Sequence, residues 1–424
     1  MIWFYTLLFT FIIYVDALDF IPMINYWDEG ITISIIILHI MSSVKHGSFK
    51  LNKERFKNYL LIVFVFMMGL LGNLFHPGIQ SSSEAIWKDV LSFLKFPLLM
   101  TMLMNANTTW YSRHREQILK KVGIVCKGTI IAAAVAAVIG YFINIGVYTD
   151  EARIIKCYQF VFSHPTFLVA NIVFCVTILI IENRKKNQWY IYIACMLLFL
   201  TQRFKAYAIM AIIIILMLLK EGAINRLFSI KWKTKIRAKY IVPAIAVVGV
   251  IIYFVFRNRF ATYLSWGMTS ARLAMIVVCI RIAKDFFPFG SGFGTFASYL
   301  SGRFYSRIYT MYGLSNVYGL RAEQFNFISD TYWPWVIGQF GFWGAIAYVK
   351  LFYMLIKSQL SEIRSQRKLM AFIILWFYAL LASTMEAFFT NTTGVAMALI
   401  LMIYIGTDSS LQSAKETMKI REIQ

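Results

Sequence analysis

The sequence predicts an all-α polytopic membrane protein, with about 12 transmembrane helices and one large extracytoplasmic loop. Three observations predict it. The chain of 424 residues is 59% hydrophobic and 15% charged, with a mean hydropathy of +0.65, where a soluble domain carries about 25% charged residues. Apolar stretches long enough to cross a hydrocarbon core of about 30 Å recur from end to end. The loops between them alternate in charge.

The expected spans are 2–15, 30–44, 59–75, 90–106, 122–145, 159–181, 189–201, 206–219, 240–256, 331–356, 370–385 and 392–406. The first is read as retained, because Met1–Val15 has no basic leader and runs into Asp16 and Asp19 rather than a small-residue cleavage site. The stretch 189–201 is short for a span and reads as a tilted or interrupted helix. Loop 16–29 is acidic, whereas loops 45–58, 107–121, 182–188, 220–239 and 357–369 are rich in lysine and arginine. Positive charge marks cytoplasmic loops. Both termini are therefore expected in the cytoplasm, and residues 257–330 and the turn Gln202–Lys205 outside. The chain divides into spans over 1–256, an arginine-rich extracytoplasmic loop over 257–330, spans over 331–406 and a cytoplasmic tail over 407–424.

The net charge of +22 does not mark a nucleic-acid binder, since most of the lysines lie in short loops where they set topology. No C-x-x-C pair and no cluster of histidines or carboxylates suggests a metal. The outer loop differs from the inner ones in using arginine. It holds Arg257, Arg259, Arg272, Arg281, Arg303, Arg307 and Arg321 against Asp285, Glu323 and Asp330. Lysine suffices as a topological charge, but the guanidinium fork binds phosphate or carboxylate bidentately. Lipid-headgroup snorkelling is the alternative.

Within that loop, Ala271–Lys284 reads as a short amphipathic helix suited to the membrane interface. Residues Pro288–Phe296 (PFGSGFGTF) form a glycine-rich turn, whose Gly292 and Gly294 can present amides to a phosphate or simply permit the turn. Arg203 sits in a tight outer hairpin, where it either snorkels or holds an anion. His164 precedes Pro165 at the outer end of a span and is a structural or ligand-binding histidine. Asp330 stands where the loop re-enters the membrane, as a helix cap or a general base, with Glu323 and Glu386 as the other outer carboxylates.

The pieces occur in a recognisable order: Phe162-Ser163-His164-Pro165, Thr201-Gln202-Arg203, Ser270-Ala271-Arg272, the glycine turn, Asp330-Thr331-Tyr332-Trp333, then Gly338 and Gly341–Gly344. Over residues 155–350 the chain resembles the O-antigen polymerase and ligase superfamily of bacterial envelopes, with the O-antigen and capsular polysaccharide polymerases (the Wzy type) among them. The resemblance implies a glycosyltransferase on the outer face of the bacterial inner membrane. Its donor would be an oligosaccharide on undecaprenyl pyrophosphate, with no cofactor, metal or nucleotide sugar. Membrane lipids, a chain-length regulator and a flippase are the partners it suggests. It assigns Arg203 and Arg272 to the pyrophosphate, helped by Arg257, Arg259 and His164, and Asp330 or Glu323 to the acceptor hydroxyl. Ligases carry histidine where Asp330 stands, which favours polymerase over ligase. A lipid-linked oligosaccharide flippase and an outer-face acyltransferase are the other classes considered.

The topology is testable by labelling intact cells with an impermeant thiol reagent. A cysteine at Ser301 is expected to react and one at Lys231 is not; the reverse pattern inverts the arrangement and removes the phosphate argument.

Overall fold

The computed structural model describes residues 2–18, 21, 26–45, 53–103, 109–143, 145–152, 156–219, 265–363 and 365–405. The expected span 240–256, the basic loop 220–239, Arg257, Arg259 and the tail 407–424 lie outside the described residues.

The protein is almost entirely helical. In chain order the main helices are α1 (Ile2–Tyr14), α2 (Trp27–Lys45), α3 (Lys53–Phe75), α4 (Ser83–Leu103), α5 (Thr109–Phe142), α6 (Pro165–Asn183), α7 (Gln188–Leu200), α8 (Phe204–Leu218), α9 (Ala271–Asp285), α10 (Trp333–Glu362), α11 (Gln366–Ala382) and α12 (Thr392–Ile400). A π-helical turn, Leu401–Ile405, extends α12. Four of the described helices have the length and composition to cross a membrane: Lys53–Phe75, His114–Phe142, Pro165–Asn183 and Trp333–Ser361. Shorter apolar helices cover Ile2–Leu18, Gln188–Leu200, Phe204–Leu218 and Thr392–Ile405. This is compatible with an all-α membrane protein.

Burial separates two kinds of helix. On α6, fifteen of nineteen residues are buried, all but Asn171 and Thr177 of them apolar, so this helix is the centre of the bundle. It is wrapped by α5, α7 and α11. By contrast, α3 and α5 turn apolar stripes outward: Leu60, Val63 and Met67 on one, Ile124, Ile131 and Val135 on the other are all exposed. Contiguous exposed apolar surface of that kind calls for lipid or a partner.

Two boundaries differ from the sequence reading. The stretch 159–181 does not begin as a helix. Residues Tyr148–Ala152 and Lys156–Tyr158 form an antiparallel hairpin after α5, and α6 starts at Pro165. Proline fits the first helical turn, where its missing N–H costs nothing, and His164 caps the end by accepting from the Thr166 N–H at 3.2 Å. The helix expected over 271–284 is α9. Its apolar stripe, with Ala274, Met275, Val278 and Ile282, is buried, and α9 packs on α10. Ile276 and Ile280 face outward.

The segment after α9 is folded against the helices rather than an open excursion. Helix α10 breaks at Gly341 (φ 65°, ψ −174°). The break interrupts the helical ladder and frees carbonyls, and the glycine turn bonds to them. Ser291 N–H donates to the Gly338 carbonyl and Gly292 N–H to that of Gln339, each at 3.0 Å. Phe293 N–H donates to Asn73 Oδ1 on α3 at 2.8 Å, and Asn73 Nδ2 donates back to the Phe293 carbonyl at 2.9 Å. Gly294 N–H donates to Asp89 Oδ2 on α4 at 2.8 Å, and that oxygen also accepts from Trp335 Nε1 at 3.2 Å. Phe293 sinks between Phe66, Phe93 and Phe340.

These bonds correct one expectation. The amides of Gly292 and Gly294 are spent on protein acceptors, so the turn is not a phosphate cradle; its glycines serve close backbone approach. Ser301 is also fully buried, its hydroxyl 2.6 Å from that of Tyr309. Exposed Ala322 is the better outer labelling site, and every free cysteine among the described residues is buried, which keeps the background low.

The close approach makes a further expectation. A Cβ at Gly72 on α3 would lie 2.7 Å from the Gly292 nitrogen and 2.8 Å from the Gly290 oxygen, both backbone. Gly72→Ala is expected to cost about 1–3 kcal/mol, read as a lowered Tm in detergent. Gly128→Ala, with nothing within 4 Å, is the control that should lose nothing.

Candidate functional site

The ends of several helices bring a set of charges together. Arg203 is placed by the reversal between α7 and α8. The Thr201 N–H closes the end of α7 on the Leu197 and Leu198 carbonyls, and Gln202 then takes a left-handed conformation (φ 53°). Left-handed backbone is uncommon for a residue with a side chain. Its Nε2 donates to the Phe199 carbonyl at 3.0 Å, which fixes the turn. Arg203 then projects to His164, with Nη2 3.2 Å from the imidazole Nε2.

That contact has a chemical tension. His164 Nδ1 accepts from Thr166 N–H, so a neutral ring carries its proton on Nε2. The guanidinium has donors alone. Two donors then face each other, and an acceptor that takes both hydrogens, such as a phosphate oxygen, relieves the conflict.

Two residues further on, Lys205 is 3% exposed, and its ammonium is paired with Glu386 at 2.6 Å. It also lies over the Tyr378 ring at 5.7 Å from the centroid. Arg203 is within electrostatic reach of Lys205. Glu386 sits in the turn after α11, its N–H bonded to the Ala382 carbonyl at 2.9 Å. Ser383, in the same turn, accepts from Tyr332 N–H through its carbonyl and from Trp333 Nε1 through its hydroxyl, each at 3.1 Å. This clamps the Glu386 turn to the start of α10.

Asp330 lies immediately before that start. It does not cap the helix: the N-cap residue is Tyr332, with no side-chain capping bond. The Asp330 carboxylate instead pairs with Arg272 Nη2 at 3.0 Å, both side chains half-buried. Arg272 is held there by the first turn of α9. Burial pushes the Asp330 carboxyl above its ordinary range, against the lowering effect of Arg272, and the nearby Glu386 charge raises it further. The buried hydroxyl of Thr331 beside it has no partner among the described residues.

His164, Arg203, Lys205, Glu386, Asp330 and Arg272 thus form one electrostatic neighbourhood of three cations and two carboxylates beside a histidine. Comparison with protein-family models, with curated proteins and with solved structures finds no match. The chemistry of the site therefore rests on its own geometry.

The other expected residues fall elsewhere. Glu323 is exposed, and no ion pair or hydrogen bond among the described residues joins it to either arginine. Arg281, Arg303, Arg307 and Arg321 are all exposed. Lys205 was not singled out from sequence. Its signal was a lysine beside Arg203 in a short turn between two apolar stretches.

Removing one partner of a buried ion pair strands the other charge. Lys205→Met is expected to cost about 3–5 kcal/mol, seen as a lower Tm, and Lys205→Met with Glu386→Leu should recover most of it. A double variant no more stable than the single one would show that the pair does not act as a unit.

Proposed function

We propose that this protein is a polysaccharide polymerase of the bacterial cytoplasmic membrane. It would join oligosaccharide repeat units carried on undecaprenyl pyrophosphate at the outer face, as in O-antigen or capsule synthesis. In this reading the chain crosses the membrane about twelve times with both termini in the cytoplasm, and the loop 257–330 lies outside. The observation that carries it is the convergence of the Arg203–His164 contact and the Arg272–Asp330 pair around buried Lys205 and Glu386.

The chemistry follows from who holds what. The acceptor hydroxyl oxygen attacks the anomeric carbon of the donor, and the bond from that carbon to the pyrophosphate oxygen breaks. The electron pair leaves on the pyrophosphate, where Arg203 and Arg272 would stabilise it. The hydroxyl proton passes to Asp330. In the structure Arg272 is occupied by Asp330. A pyrophosphate that draws Arg272 away would free the carboxylate and lift its proton affinity further, because the lowering effect of that arginine is then shared. Donor binding would thereby prepare the base.

A lipid-linked oligosaccharide flippase is the second reading. It is favoured by Lys95, a buried charge in the middle of α4 paired with Asp28 and Glu29 on α2, since such groups line transport paths.

The variants separate these readings. Arg203→Lys and Arg272→Lys are each expected to lose most chain elongation with expression unchanged, because a point charge does not replace the fork. Asp330→Asn should slow elongation yet bind donor more tightly, since it releases Arg272. Glycan ladders from a complemented deletion strain, and release of undecaprenyl pyrophosphate by purified protein given lipid-linked repeat units, are the measurements. Full ladders from both lysine variants would sink the pyrophosphate role. Repeat units trapped on the cytoplasmic face of the deletion strain would indicate the flippase.

A further inference from the structure

Beside the charged cluster, a cleft of about 630 Å³ opens between the start of α2, the first half of α4 and the segment Ala297–Arg303. Its far wall includes Ser329 and Tyr332, on either side of Asp330, and Ala387, next to Glu386. The volume is that of a small-molecule site, roughly 300–1,000 Å³.

Two groups lining this cleft are left unsatisfied. Trp27 is 9% exposed, and its indole N–H has no hydrogen-bond partner among the described residues. Glu29 Oε2 is likewise buried without a partner. The other Glu29 oxygen is held by Lys95, which also binds Asp28 at 2.7 Å. The carboxylate is therefore fixed in place, with its second oxygen buried and unpartnered in the cleft wall. A buried donor and a buried acceptor left unmade each carry a desolvation penalty. A hydroxyl-bearing ligand removes both, because a hydroxyl accepts from the indole and donates to the carboxylate.

The charge balance narrows the class. Asp16, Asp28, Glu29 and Asp89 line the cleft against Lys88, Lys95 and Arg303. Lys95 is engaged by two of those carboxylates, and Lys88 is paired with Glu84 at 2.6 Å. Among the described lining residues, that leaves an anion Arg303 alone as an unengaged cation. A cation meets the indole N–H, a donor it cannot satisfy. Tyr26 and Tyr299 stand exposed at the cleft, offering ring faces of the kind that cover the C–H faces of sugars.

We infer that this cleft is a saccharide subsite that binds an uncharged, hydroxyl-rich oligosaccharide through Trp27 and Glu29. On the polymerase reading, on which the identity of the sugar rests, it holds the acceptor repeat unit with its terminal hydroxyl directed to Asp330.

The test uses the full-length protein in nanodiscs. The probe is the phosphate-free oligosaccharide released by mild acid from the host's own lipid-linked repeat units, with binding followed by saturation-transfer NMR. Wild type should bind it. Trp27→Phe, which keeps the ring and removes the N–H, and Glu29→Gln should each weaken binding about tenfold, which is about 1.4 kcal/mol. Tyr299→Ala, at an exposed position, is expected to weaken it without touching the fold. Absence of binding by wild type, unchanged affinity in Trp27→Phe and Tyr299→Ala, or displacement of the sugar by inorganic pyrophosphate would each overturn the proposal. These outcomes stand apart from the arginine variants. Repeat units trapped on the cytoplasmic face of the deletion strain remove the polymerase reading and leave sugar binding intact, whereas absence of sugar binding leaves the glycan of the deletion strain as it is.

Discussion

The break in α10 at Gly341 organises the packing of the glycine turn against its neighbouring helices. An unbroken helix satisfies its own carbonyls and offers nothing to a loop packed against it. Here the break frees acceptors, and the glycine turn takes them up. The same turn reaches Asn73 on α3 and Asp89 on α4. One nine-residue segment therefore ties three helices, and the loop that carries Asp330 is anchored through it. Were the turn loose, Asp330 and Arg272 would sit on independent segments. Because it is locked, their pairing is set by the scaffold.

The cluster beyond that anchor contains two ion pairs of different character. Lys205–Glu386 is deep, with the lysine side chain 4% exposed, and stays within reach of Tyr378. Arg272–Asp330 is half-open to its surroundings. A deep pair is costly to break and suits a fixed electrostatic background. A half-open pair exchanges partners readily and suits binding. Glu386 links the two, since its charge bears on Asp330. Glu386 thus acts on Asp330 through charge, while Arg272 acts on it by contact.

Much of the helical layout was legible in the sequence, because apolar runs of membrane length have few alternatives to a helix. Helices α1 to α8 and α10 to α12 fall on stretches that hydropathy marks. The hairpin at Tyr148–Tyr158 was not legible, since the apolar character of Tyr158, Phe160 and Val161 continues into α6 and hides the boundary; Pro165 was the local sign. The arginine argument singled out Arg203 and Arg272 by residue type and position, and both stand beside carboxylate or histidine partners. It missed Lys205, whose role depends on a carboxylate nearly two hundred residues away. It also misread Gly292 and Gly294, because a glycine turn looks the same whether its amides face a ligand or, as here, Gln339 and Asp89. Pairings across that distance in sequence leave no local pattern.

The burial of α6 on every side bears on how such a chain is made. In a membrane, α6 would emerge after α5 and before α7, α8 and α11, so part of its surface would first meet lipid and later exchange it for protein. Its two buried polar side chains, Asn171 and Thr177, bond back to the Phe167 and Val173 carbonyls of their own helix, so neither waits on a later neighbour. A helix with a polar seam reserved for its final neighbours would be stranded during the interval, so polarity satisfied within the helix suits its assembly as much as its final packing.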